Sequence, residues 1–117
     1  MGTSFVEYKK FGFWTRDSYL ENWLRTLLDE MKKASVLDPW QKSLIEHWEI
    51  QATVDGGCMT VKLDEFLSEP SRKDFLLSLA KKSLISSKSV GHRTGELFVE
   101  LLEGKLKTTS SSPIDYL

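Results

Sequence analysis

Residues 17–33, DSYLENWLRTLLDEMKK, constrain the fold more than any other stretch of the chain. Leu20, Trp23, Leu24, Leu27, Leu28 and Met31 recur at i, i+3, i+4, i+7, i+8 and i+11. That spacing gathers them on one stripe of a 3.6-residue helix, which must be buried against a core. Glu21, Asn22, Arg25, Asp29, Glu30 and Lys32 take the other face. Ser18 with Glu21 three residues on reads as a capping box, and Asp17 puts a negative charge at the dipole's positive end.

The remaining segments offer partners for that stripe. Asp38-Pro39 is an N-cap followed by proline at the first helical position, and Trp40, Leu44, Ile45, Trp48 and Gln51 continue as a second stripe, predicting a helix over 39–53. Phe75, Leu76, Leu79, Ala80, Ser83 and Leu84 predict a third over about 72–87, restarted at Ser71 after Pro70 breaks the chain. Leu97, Phe98, Leu101 and Leu102 predict a fourth over 94–103, capped by Thr94 and stopped at Gly104. Residues 1–16 are dense in aromatics (Phe5, Tyr8, Phe11, Phe13, Trp14) and read as a lead-in arm laid over the core, with Phe5 to Tyr8 a short-strand alternative. Residues 55–70 form an irregular excursion with some β character, and 105–117 a polar, flexible tail whose Ile114, Tyr116 and Leu117 are able to dock back. The expected architecture is all-α: four amphipathic helices around one core, in one domain over 1–117.

Composition narrows the function classes. The 40% hydrophobic and 28% charged fractions belong to an ordinary globular domain. No apolar run nears the roughly 20 residues of a membrane span, and no signal-peptide pattern opens the chain. A lone cysteine, Cys58, fits a reducing cytoplasm. A net charge of −1 gives no nucleic-acid signature. The charge is unevenly spread: residues 38–69 hold seven acids against two lysines, and residues 70–93 six bases against one acid. Two helices with complementary faces would explain this, and so would an acidic surface made for a basic partner.

Tests for chemistry are largely negative. His47, His92 and Cys58 lack metal-ligand spacing, and Gly56-Gly57 is no phosphate loop. Cys58 after two glycines is the one nucleophile candidate, with small-ligand binding or catalysis beside it as an alternative, though isolated cysteines are more often small buried hydrophobes. No cofactor is expected. Binding to another protein remains, with Glu46, Glu49, Asp55, Asp64 and Glu65 as contact carboxylates around Trp40 and Trp48, although both tryptophans also suit the core. A second binding alternative is a regulatory role for the basic third helix, through Lys81 and Lys82.

Phe11-Gly12-Phe13-Trp14, Trp23-Leu24, His47-Trp48, Gly57-Cys58, Leu63-Asp64-Glu65 and Gly95-Glu96-Leu97-Phe98 together resemble small bacterial proteins of the immunity type, from contact-dependent or polymorphic toxin systems. The resemblance covers most of the chain. It implies a cytoplasmic, non-catalytic inhibitor that occludes a secreted toxin domain, and it assigns no individual contact residue.

Overall fold

The computed structural model describes residues 3–34, 36–53, 60–86 and 92–107. It opens with a hairpin, β1 (Thr3–Tyr8) and β2 (Phe11–Arg16). Helices α1 (Asp17–Lys32) and α2 (Pro39–Thr53) follow, then β3 (Thr60–Lys62), a single 3-10 turn (Leu63–Glu65), α3 (Pro70–Ser86) and α4 (His92–Leu102). The sheet order is β2-β1-β3, with β2 antiparallel and β3 parallel to β1. A parallel neighbour needs a long crossover, and α1 with α2 provides it.

All six stripe residues of α1 are buried, and the helix touches α2, α3, α4, β1 and β2. It is the centre of the core, as its spacing requires. The four helices lie where periodicity puts them, but the chain is α+β and not all-α. What reads as an aromatic arm is a paired hairpin. Its two apolar runs are separated by Lys9-Lys10 alone, the loop length of a tight hairpin, yet without the Asn-Gly chemistry that normally announces one. Both lysines take positive φ, 48° and 77°, a conformation that costs an L-residue on the order of 1 kcal/mol. Asp64 supports the turn: the Lys9 amide donates to its two carboxylate oxygens at 3.1 and 3.2 Å.

The pleat sorts the hairpin's side chains. Val6 and Phe13 are cross-strand partners and wholly buried, as are Ser4 and Thr15 next along the same face. Thr15 shares a 2.7 Å hydroxyl hydrogen bond with Thr94 of α4, and Ser4 donates to Asp17 of α1. On the other face Phe5 packs on Trp14, ring centroids 4.9 Å apart. Its ring also lies over Gly12, where a Cβ would come within 2.6 Å of it.

Local signals at helix ends are partly redirected. The N-cap of α1 is Arg16, with no side-chain cap, so the Ser18 and Glu21 box does not form; Asp17 accepts from Ser4 instead. At α2 the reach-back half of a capping box forms: Gln41 Oε1 accepts from the Asp38 amide at 2.8 Å. α3 begins at Pro70, two residues before the expected restart, because proline is as suited to the first helical turn here as at Pro39. Thr94 lies inside α4 and is tied to β2. Gly104 does stop α4, at φ 77°, with Lys105 N donating to Glu100 O and Gly104 N to Leu101 O, the paired bonds of a Schellman motif. Of the 55–70 excursion, residues 60–70 contain β3 and the 3-10 turn, while Asp55, Gly56, Gly57 and Cys58 lie outside the described residues, as do Ile114, Tyr116 and Leu117.

Candidate partner-binding surface

α2 presents three sides. Leu44 and Trp48 face the core and are almost fully buried. On the α1 flank, Glu49 meets Lys32 at 2.8 Å. On the opposite flank, Trp40 and His47 lie two helical turns apart, roughly 10 Å along the axis. Trp40 meets Phe75 of α3 edge-on, centroids 5.6 Å apart, and carries the Arg72 guanidinium 5.3 Å from its ring. His47 leans on Phe66, just after the 3-10 turn, at 5.4 Å. One turn beyond, Gln51 Nε2 donates to the Thr60 carbonyl at 3.2 Å. The flank thus carries a strip of two ring pairs, Trp40 with Phe75 of α3 and His47 with Phe66 after the 3-10 turn. Trp40, Phe66 and Phe75 are half-buried and His47 is exposed.

Carboxylates edge this strip. Glu46 is exposed on α2 next to His47, and Glu65 is exposed next to Phe66. Neither has a partner among the described residues. Glu69 and Asp74 are also exposed, near Arg72 at 3.7 Å and Lys73 at 4.0 Å respectively.

The five carboxylates expected at a contact surface therefore separate. Glu46 and Glu65 are the chain neighbours of His47 and Phe66, whose rings are in contact. Glu49 lies across α2, paired to Lys32. Asp64 is exposed but holds the hairpin turn. Asp55 lies outside the described residues. Trp48 is core, and Trp40 alone of the two tryptophans reaches the surface strip. Phe66, Phe75 and Arg72 were not singled out from sequence as contact residues. Phe75 sits on the α3 stripe with nothing local to separate a strip residue from a core one, and Phe66 joins the strip only through tertiary packing.

The basic segment is used internally. Lys81 reaches Glu103 at 3.0 Å, and Lys82 reaches Glu30 of α1 at 3.6 Å. These lysines bind α3 to α1 and to the end of α4. Glu30 and Glu103 are held below the ordinary carboxylate range, chiefly by hydrogen bonds from Lys33 and Lys81 respectively, against the opposing effect of burial. Both groups lie away from the strip. Among the described residues no cluster of three His, Cys, Asp or Glu side chains is arranged for a metal ion. No described helix is long and apolar enough to cross a membrane.

Comparison with known proteins finds no matching family model, no matching curated protein and no matching solved structure.

Proposed function

We propose that the chain is a non-catalytic protein-binding module whose contact surface is the aromatic strip along α2 with its carboxylate edge. The observation that carries this reading is the strip itself: the ring pairs Trp40–Phe75 and His47–Phe66 along one flank of α2, with the unpaired Glu46 and Glu65 next to His47 and Phe66 in the chain. Large rings give a partner area to bury at low entropic cost, and flanking charge speeds encounter with a basic surface. In its sharpest form, following the resemblance to immunity proteins, the partner is a secreted toxin domain with a basic active cleft. The chain then acts in the bacterial cytoplasm by steric and electrostatic plugging, with no chemistry and no cofactor of its own.

The test is titration against a toxin-like domain, sought among the products of the neighbouring genes, by calorimetry and by surface-binding kinetics. Glu46→Lys combined with Glu65→Lys is expected to slow association about tenfold and to flatten its salt dependence. Trp40→Ala is expected to weaken binding by about 2 kcal/mol, mainly through faster dissociation. Binding that ignores salt and all three substitutions, in variants shown by circular dichroism to be folded, overturns the assignment of this surface.

A further inference from the structure

A second surface, opposite in sign, lies at the tip of the hairpin. Lys9 and Lys10 form its two-residue turn, both at positive φ, where glycine and asparagine are the residues that fit without strain. The fold sustains the strained pair by committing Asp64 to the Lys9 amide. Strain held in place by a dedicated support is a mark of use elsewhere in the molecule.

The side chains say what that use is. Lys32, Lys33, Lys73, Lys81, Lys82 and Lys105 each lie within 4 Å of a carboxylate. Lys9, Lys10, Lys42, Lys62 and Lys107 are exposed and have no carboxylate partner among the described residues, and of these Lys9, Lys10 and Lys107 belong to the hairpin tip. Two of these ammonium groups instead rest over aromatic rings at the hairpin's closing pair. Lys9 Nζ is 5.3 Å from the Tyr8 ring centre and Lys107 Nζ 4.8 Å from that of Phe11. A ring beneath a cation holds the charge in place without neutralising it.

We propose that the hairpin tip, Lys9, Lys10 and Lys107, is a docking site for a short acidic segment of another protein. The alternative anion, a nucleic acid, fits less well. Its phosphates run on past so small a patch, toward the exposed carboxylates of Asp64 and Glu65 in the adjoining 3-10 turn, whereas two or three clustered carboxylates end at the lysines. This site is opposite in sign to the α2 strip, which calls for a basic partner.

The experiment uses a fluorescein-labelled oligoglutamate peptide, with an oligothymidylate of equal charge as the second probe, read by anisotropy at low and moderate salt. Lys9→Asn with Lys10→Gly gives the turn its preferred residues and removes both charges. The expected result is a melting temperature equal to or above that of the unsubstituted chain, together with peptide binding weakened roughly three- to tenfold. Trp40→Ala, on α2, is expected to leave peptide binding undiminished, so failure here is distinguishable from failure of the α2 surface. Should the turn variant melt lower, Lys10→Gln with Lys107→Gln decides the matter by the same loss. Peptide binding unchanged in these variants, absent from the unsubstituted chain, or weaker than that of the oligothymidylate overturns the proposal.

Discussion

Gly95→Ala separates packing from helix propensity in a single methyl group. Gly95 lies inside α4, where alanine ordinarily stabilises by about 0.5–1 kcal/mol. Here the added Cβ would sit 2.6 Å and 2.8 Å from two carbons of the Trp23 indole and 2.8 Å from Leu84 Cδ2. Trp23 has little room to yield: it is 5% exposed, and Phe98 packs edge-on at 5.7 Å. Overpacking of this kind costs about 1–3 kcal/mol. The steric term wins, leaving a net loss of about 1–2 kcal/mol, or about 4–8 °C in melting temperature for a chain of this size. Urea unfolding followed by circular dichroism measures it. A double-mutant cycle with Trp23→Phe checks the cause, since the smaller ring vacates the atoms in conflict. In that background Gly95→Ala should be neutral or stabilising. If the single variant is as stable as the unsubstituted chain, α1 and α4 do not approach as closely as described.

Two further outcomes test the links between elements. Thr94→Val should cost about 1–3 kcal/mol because it strands the buried Thr15 hydroxyl, whereas Thr15→Val with Thr94→Val together should come close to the original stability; chemical unfolding of these two variants beside the unsubstituted chain decides it. Glu30 keeps its charge more readily folded than unfolded, with Lys33 and Lys82 as the cause. Its stabilisation is therefore complete above the ordinary value of 4.5 and is lost as pH falls through the lower folded value. Melting temperatures of the unsubstituted chain and of Glu30→Gln should differ at neutral pH and converge in acid; a constant gap would mean the ion pairs carry no pH-dependent stability.

Much of the helical frame is written locally. A stripe at 3.6-residue spacing has to be buried whichever neighbours supply the cover, so α1 and its six core residues follow from sequence, as does the start of α2 at Pro39. The stop at Gly104 follows too, because a left-handed residue ends a helix without outside help. The same proline logic extends to Pro70, where it puts the start of α3 earlier than the Ser71 cap suggests. The hairpin is different. Its turn is built from residues that do not favour it, and the Asp64 carboxylate that supports it comes from 55 residues away along the chain. Only the assembled sheet and 3-10 turn bring those groups together.

The candidate surfaces divide the same way. A run of acids between 38 and 69 is visible in sequence, but charge along a chain does not say which side of a helix each residue occupies. Packing sends Glu49 to Lys32, gives Asp64 to a backbone amide, and leaves Glu46 and Glu65 beside a strip whose Phe66 and Phe75 come from other elements. Hydrophobic period fixes what must be inside because burial is an obligation of each helix by itself. Which polar groups stay available for a partner depends on every neighbour at once, and that was decided by the tertiary structure.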